Sequence, residues 1–546
     1  MRNSIGIAFG VMALLATAPP PAAAQPREQL TIGMSEFPAD MHPFITNLLV
    51  RNYVLGAARR NVIRFDTTGQ VMCQLCTEVP SVANGRARPT TNPDGSPGME
   101  VDFTLREGLK WADGVPLTTR DIALGFEVEK VFAPPASVTG VDIIDARTYR
   151  VRLKTPRYDF DRLTPAPIAE HIEGATFASR KDPLDYGQRS AFNRAPDTAG
   201  LWNGPFRVTA FKPNESIIME RNPNWDGAGP HFNRVTFRYI ENTAALLAAL
   251  LAGDIDTVYG LTLDQALSLE KREAARFDIA FIPALSTNSL YIQLDNPIMA
   301  DIRVRRAIIQ SIDRQTLVNR LYEGKVPVAY SILSPVEKSR DPSVKQWKFD
   351  PAAARALLAE AGWKPGADGI LQKPDGTRLS LDLAHSSGIR VVELVGQVIQ
   401  SQLKTVGIEI VIKSEPVRVL LGETVRKRQF KAISMFNWTP APDGIPYFTY
   451  HSTRIPSPEN SFTGTNYMGL RDPAMDKLLD DGIAELDPAK RQVIWNNIQG
   501  YIADNLPIIP LHHGTNIFVT PKWLTGVTPM RSTALPPLWI EEWRPR

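Results

Sequence analysis

The sequence has only two cysteines, Cys73 and Cys76, and seven histidines in 546 residues. Because no second cysteine pair is present to complete four ligands, a structural zinc site is disfavoured. A redox-active pair is the alternative, but such a motif begins a helix within a βαβ unit, whereas the residues around this C-x-x-C are turn-rich. We therefore predict a local disulfide between Cys73 and Cys76, formed in an oxidising compartment, and no cofactor.

The chain also lacks an excess of charge of one sign, with 61 Lys and Arg against 58 Asp and Glu and a net charge of +3. A nucleic-acid-binding surface needs a dense basic face, so this near balance argues against a nucleic-acid partner. No internal repeat of roughly 20 to 50 residues is evident. At about 100 to 200 residues per domain, the chain is expected to fold as roughly three or four packing units.

Long apolar runs are missing as well. Beyond the N-terminus no segment reaches the roughly 20 uncharged residues that a membrane-spanning helix needs. The N-terminus combines a basic start at Arg2, an apolar run from Ile5 to Leu15 and small residues ending at Ala24. This pattern is typical of a secretory signal peptide over 1–24, with an uncleaved anchor as the alternative. We therefore expect export to the periplasm, cleavage near Ala24 and a soluble mature protein.

Strand-like and helix-like segments alternate along the chain, which indicates the α/β class. Asn242 is a favourable N-cap, strong helix formers follow it, and Gly253 is a typical stop, so this stretch predicts a helix. Apolar residues at helical spacing predict one amphipathic helix from Val304 to Leu321. The turn-forming residues of 88–98 predict a loop.

Several segments, taken together and in order, resemble one family. They are FTLREGLKWADG at 103–114, NGPFRV at 203–208, RNPNW at 221–225, GDID at 253–256, DIRVRRA at 301–307 and LPIIPL at 506–511. These segments make the chain similar to the family 5 extracellular solute-binding proteins, the oligopeptide-, dipeptide- and nickel-binding type components of ABC transporters. The likeness extends from about Leu30 to Leu511, nearly the whole expected mature chain.

The resemblance implies a two-lobed periplasmic-binding-protein fold of class II type, in its large peptide-binding subtype, with an extra subdomain on the first lobe. On this basis we expect lobe I over 25–60, 199–283 and 505–546, the accessory subdomain over 61–198, and lobe II over 284–504. The resemblance further implies that a ligand, with a peptide or peptide-like solute as the leading expectation, is enclosed between the lobes. A monomer would then pass it to an inner-membrane ABC permease and its ATPase.

In the peptide-binding members that this chain resembles, a carboxylate three residues after a tryptophan holds the α-ammonium group of the peptide. The corresponding tryptophan here is Trp438, but Ala441 stands three positions later and the nearest acid is Asp443. Either the Pro-rich loop moves Asp443 into the same place, or the protein does not hold a free α-amino group there; a plain turn at Asp443 is the third reading. The predicted ligand-binding residues are Trp438, Asp443, Asn437, Phe436 and Tyr467.

Two alternatives stay open. A non-peptide solute, namely an opine, an oligosaccharide or a nickel chelate, would occupy the same kind of cleft. A secreted serine hydrolase would use Ser268 and Lys271, which fit the S-x-x-K pattern, but no S-D-N or K-T-G motif follows them. The sequence therefore predicts a binding protein rather than an enzyme.

Overall fold

The structure is a computed structural model that describes residues 27–45, 48–66, 69–132, 137–529 and 535–546. The predicted signal peptide, 1–24, lies outside the described residues. No helix in these ranges has both the length and the apolar character that crossing a membrane requires.

The strands are β1 Gln29–Met34, β2 Ile63–Phe65, β3 Val71–Cys73, β4 Ala87–Thr91, β5 Pro97–Thr104, β6 Val138–Ile143, β7 Thr148–Leu153, β8 Phe206–Lys212, β9 Ser216–Arg221, β10 Arg234–Tyr239, β11 Thr257–Tyr259, β12 Phe277–Ile292, β13 Lys364–Pro365, β14 Leu371–Gln372, β15 Ser380–Ser386, β16 Glu409–Glu415, β17 Ile433–Trp438, β18 Ile508–Pro521, β19 Leu524–Thr525 and β20 Arg544–Pro545. The helices are α1 Leu49–Ala58, α2 Thr119–Phe132, α3 Glu170–Ala178, α4 Pro183–Arg189, α5 Ala191–Arg194, α6 Thr243–Ala252, α7 Leu263–Arg272, α8 Ile302–Ser311, α9 Arg314–Tyr322, α10 Pro351–Glu360, α11 Arg390–Lys404, α12 Val417–Val419, α13 Tyr447–Tyr450, α14 Pro473–Ala484 and α15 Pro488–Asn505.

One ten-stranded sheet runs through both halves of the molecule, in the order β16-β15-β17-β12-β18-β11-β1-β10-β9-β8. The long strands β12 and β18 pair antiparallel at its centre, and their register is interrupted between Pro283 and Thr287 of β12. Gly514 lies opposite this interruption, where a Cβ atom would collide with Oγ of Ser286. The two long strands therefore cross between the halves at a point where the lack of a side chain on Gly514 makes room for the Ser286 hydroxyl.

The two halves have separate hydrophobic cores. In the first lobe, Ile32 of β1 and Phe237 of β10 pack with Trp543 near the C-terminus. In the second lobe, Leu383 of β15 and Ile433 of β17 pack with helices α8, α9 and α11. Two cores joined by a pair of crossing strands confirm the two-lobed α/β architecture expected from the sequence.

A separate four-stranded antiparallel sheet, in the order β4-β5-β7-β6, forms an accessory unit. Val101 and Phe103 alternate along β5 and are fully buried, together with Trp111, in a core of their own. Glu100 and Asp102, which alternate with them, stay partly exposed, so β5 is a half-buried strand.

The cysteine pair lies at the edge of this accessory unit. The structure joins Cys73 and Cys76 in a disulfide with Cα atoms 5.1 Å apart, within the usual range for such a bond. We expect mass spectrometry of the unreduced purified protein to find this pair two hydrogens lighter than the reduced form. Two alkylatable thiols in the native protein would contradict the assignment.

Two sequence-based predictions of secondary structure are wrong. The segment from Val304 to Leu321 forms two helices, because Ile312 is extended and Asp313 caps α9 by accepting from Thr316 N. The supposed loop at 88–98 instead contains β4 and the start of β5, which pair as a hairpin around a short turn. In both places a capping or turn residue separates two elements within a segment that the sequence pattern predicts as one helix or one loop.

Candidate functional site

The end of β17 carries the predicted ligand-binding residues into the space beside the crossing strands. Asn437 pairs with Asn288 of β12, and Trp438 pairs with Thr287. Since successive side chains of a strand point to opposite faces, these two neighbours separate. Trp438 lines one cavity and Asn437 lines another.

The first cavity, with a volume of about 410 Å³, lies within the second lobe. Its floor is one face of β12, which contributes Thr287, Ser289 and Tyr291. Trp438 and Phe448 form apolar walls and keep 37% and 52% of their surfaces exposed. Exposed aromatic side chains at a cavity make this wall a candidate surface for apolar contact.

The second cavity, with a volume of about 670 Å³, lies between the lobes. The first lobe contributes the aromatic rings of Tyr53, Tyr259 and Trp543, and the second lobe contributes Asn437. Thr439 lines both cavities, so the two spaces adjoin at this residue. We call the two cavities together the interlobe cleft.

Two of the predicted residues support the first cavity from behind. The ring of Phe436 is buried and stacks on Tyr291 at a centroid distance of 3.8 Å. Tyr467 meets Phe436 and Trp438 edge-on at 6.1 and 6.4 Å. Neither Phe436 nor Tyr467 is among the residues that line the two cavities. They hold the Trp438 wall in position.

Asp443 does not line the cavity that Trp438 lines. The turn from Ala441 to Gly444 closes by a backbone hydrogen bond, and Asp443 has a φ of 47° within it. Its Oδ1 accepts from the N–H and the hydroxyl of Ser339 at 3.0 and 2.7 Å. Ala441 lines the first cavity, whereas Asp443 lines neither.

The residues that line the interlobe cleft are, within the described part of the chain, all uncharged. They are aromatic, aliphatic, hydroxyl and amide side chains together with glycine and proline. The described residues also contain no group of three or more His, Cys, Asp or Glu side chains arranged to hold a metal ion. The cleft therefore offers apolar contact and neutral hydrogen bonds.

The serine and lysine of the hydrolase alternative lie on α7, outside both cavities. Nζ of Lys271 is 2.7 Å from Oε2 of Glu323, and both side chains are more than half exposed. Ser268 is partly buried on the same helix. In this arrangement the lysine pairs with a carboxylate at the surface.

Sequence reasoning missed a buried carboxyl group behind the cleft wall, Glu337. Only 6% of Glu337 is exposed, and its Oε2 accepts from Ser334 N at 2.8 Å. Burial, with a smaller contribution from the charge of Asp443, raises the pKa of Glu337 to about 8. No local sequence signal marks this residue, because its burial depends on packing against distant segments.

The raised pKa of Glu337 predicts a pH dependence of stability. An unfolded glutamate titrates near pH 4.3, so between about pH 4.3 and pH 8 the folded state holds a proton that the unfolded state releases. The contribution of Glu337 to the free energy of unfolding is therefore at its maximum below about pH 4.3 and is lost as the pH rises to about 8. The Glu337→Gln variant lacks this titration. Between about pH 4.3 and pH 8, its free energy of unfolding should therefore rise by a few kcal/mol relative to that of the wild type. Urea unfolding at several pH values measures the difference; Glu215→Gln, at an exposed site, is the control, and a difference independent of pH would contradict the prediction.

The segment that follows β7 also contacts the cleft wall. The hydroxyl oxygen of Tyr158 accepts from Ile445 N at 2.9 Å. The backbone N–H of Tyr158 donates to Ile483 O at 2.9 Å. The guanidinium of Arg491 lies 4.9 Å from the centre of the Tyr158 ring. Ile445 lines the first cavity, so this contact ties the segment after β7 to the cavity wall of the second lobe.

Replacing Tyr158 by phenylalanine keeps the ring but leaves the buried N–H of Ile445 without its acceptor. Such a loss costs about 1 to 2 kcal/mol. We expect chemical denaturation to show that decrease for Tyr158→Phe and almost none for Tyr239→Phe, because the Tyr239 ring packs against Phe37 and its hydroxyl forms no hydrogen bond with the described residues. Equal stabilities of the two variants would show that the hydrogen bond from Ile445 N to the Tyr158 hydroxyl does not stabilise the fold.

A cleft between two lobes that are joined by crossing strands defines the class of two-lobed solute-binding proteins. The family described as bacterial extracellular solute-binding proteins, family 5 Middle, matches residues 90–457. This match covers more than half of the chain, and the chain belongs to that family.

Relatives and solved structures agree with this assignment. The chain is 26% identical over 446 residues to the oligopeptide-binding protein AppA of Bacillus subtilis, covering 79% of this chain and 78% of AppA. It is 25% identical over 530 residues to the probable D,D-dipeptide-binding periplasmic protein DdpA of Escherichia coli, covering 94% of each. The fold matches a crystal structure of the oligopeptide-binding protein of Thermus thermophilus complexed with a pentapeptide, with a TM-score of 0.74, 29% identity, and coverage of 95% of this chain and 97% of that one.

Proposed function

We propose that this protein is the solute-binding component of an ABC transporter, that it captures a peptide or peptide-like solute, and that it delivers the solute to an inner-membrane permease and its ATPase. The observation that carries the proposal is the interlobe cleft, with walls from both lobes that meet at Thr439. A ligand lying across Thr439 contacts both lobes at once. Its binding energy therefore favours the arrangement in which the lobes enclose it.

A peptide is supported by the chemistry of the walls and by the relatives. Hydroxyl and amide side chains such as Ser289, Asn437 and Thr465 can both donate and accept, as the N–H and C=O groups of a peptide require. The relatives in Bacillus subtilis and Escherichia coli are named for binding oligopeptides and D,D-dipeptides. The matched Thermus thermophilus structure contains a pentapeptide.

The remaining parts of the proposal follow from the same role. We propose export to the periplasm with cleavage near Ala24, action as a monomer, and binding without catalysis. We also propose lobe I over 25–60, 199–283 and 505–546, the accessory subdomain over 61–198 and lobe II over 284–504, with the C-terminal exchange between the lobes moved from 505 to near Gly514. The contacts of Leu511 support an exchange between the lobes near Gly514, because Leu511 packs in the second-lobe core.

A thermal-shift screen tests the proposed ligand class. A ligand at a hundredfold excess over its Kd stabilises the folded protein by about 2.7 kcal/mol. We expect at least one group of peptides of two to ten residues to raise the melting temperature, with opines, oligosaccharides and nickel chelates inactive. A rise with one of those three solutes and with no peptide would assign the cleft to that solute instead.

A further inference from the structure

We propose that the interlobe cleft binds the uncharged interior of its ligand: a stretch of peptide backbone with apolar or aromatic side chains, without capture of a free α-ammonium or carboxylate group. This inference rests on the proposed function and specifies which peptides the cleft selects. It chooses between the readings that the sequence left open at Ala441 and Asp443.

The first observation is the absence of charge from the described cleft walls. A buried ammonium group needs a carboxylate within hydrogen-bonding distance, since an unpaired buried charge costs several kcal/mol. Ala441 presents only a methyl group to the first cavity, at the position where a carboxylate was expected from sequence. A peptide terminus placed there would lose its hydration without gaining a charged partner.

The second observation is that the nearby acids already have other surroundings. Asp443 accepts two hydrogen bonds from Ser339 and points away from the lining set. Glu337 is buried behind the wall, where it accepts from Ser334 N. In the first lobe, Glu36 is exposed and influences Tyr259 electrostatically, but it is not a lining residue. None of these three carboxylates faces the ligand space.

The third observation is that the cleft walls carry side chains suited to neutral ligand groups. Trp438 and Phe448 offer exposed apolar surfaces to one cavity, and Tyr53 and Tyr259 stack at 4.4 Å beside the other. Hydroxyl groups lie between these aromatic surfaces, including that of Thr439 where the cavities meet. This combination favours backbone amides with apolar side chains over termini or ionic side chains.

Isothermal titration calorimetry on the mature protein, residues 25–546, tests the proposal with one peptide in two forms. The probes are Ala-Phe-Leu-Phe-Ala with free termini and the same sequence N-acetylated and C-amidated. We expect the blocked peptide to bind at least as tightly as the free one, to within threefold. Binding of the free peptide more than tenfold tighter would overturn this inference while leaving the proposed peptide function intact. If neither form nor a peptide library binds while an opine, an oligosaccharide or a nickel chelate does, the proposed function fails and this inference fails with it.

Two variants make the test residue-specific. Asp443→Asn keeps the acceptor for Ser339 and should leave the affinity for the free peptide within threefold; a tenfold loss confined to the free form would overturn the proposal. Ala441→Asp places a carboxylate in the cavity wall and should create a preference of about tenfold for the free peptide, with Ala441→Asn as the uncharged control. An unaltered ratio in Ala441→Asp would also overturn the proposal, because it attributes the lack of preference to the missing carboxylate.

Discussion

Replacing Trp438 by alanine is expected to weaken peptide binding by about 2 kcal/mol, roughly thirtyfold in Kd. The indole forms an apolar wall of the first cavity and lies beside Thr439, where the two cavities adjoin. It is held by an edge-on contact with Tyr467, so little side-chain freedom is lost when a ligand packs on it. Titration calorimetry with the blocked pentapeptide measures the change.

A matched control separates loss of the wall from loss of an exposed aromatic side chain. Phe349 is 48% exposed and lines neither cavity, so Phe349→Ala should leave the affinity unchanged. Both variants should unfold at nearly the wild-type denaturant concentration. Equal affinities of the Trp438 and Phe349 variants would place the ligand elsewhere.

Removal of the carboxylate of Glu541 is expected to destabilise the first lobe by about 3 kcal/mol. Nη2 of Arg60 is 2.6 Å from Oε2 of Glu541, and the Arg60 side chain has no exposed surface. The same guanidinium donates to the carbonyl oxygens of Gly56 and Arg59. In Glu541→Ala this buried cation keeps those neutral partners but loses its counter-charge.

Urea unfolding of the purified protein measures this effect, and Glu542→Ala provides the neighbouring control. Glu542 forms no ion pair among the described residues, so its removal should change the free energy of unfolding by less than about 0.5 kcal/mol. A loss of similar size in both variants would mean that the C-terminal segment, rather than the Arg60 pair, carries the stabilisation.

Local sequence signals predicted those elements whose ends are marked by capping residues. The helix after Asn242 begins at Thr243, because the Asn242 side chain accepts from Ala244 N and Ala245 N, and it ends at Gly253 with a φ of 84°. The break at Asp313 was missed because apolar spacing continues through it, although Asp313 is itself an N-cap residue. Periodicity identifies a buried face, but the caps decide how many helices share it.

The site could be predicted only where one strand carries it. Trp438 and Asn437 reach the cleft because β17 ends there and its side chains alternate. The partner of Asp443 is Ser339, 104 residues earlier in the chain, and no local pattern announces such a contact. Likewise, Tyr53 and Trp543 come from opposite ends of the sequence to form one cavity wall. Long-range packing therefore determines which of the predicted residues line the cleft.

Hydrogen–deuterium exchange with and without the blocked pentapeptide tests the central claim, that a peptide binds between the lobes, most directly. The account predicts slower exchange on both sides of the cleft, in 439–450 of the second lobe and in 257–261 of the first, with no change in the accessory strands β4 to β7. Protection confined to one lobe, or appearing only outside the cleft, would contradict it.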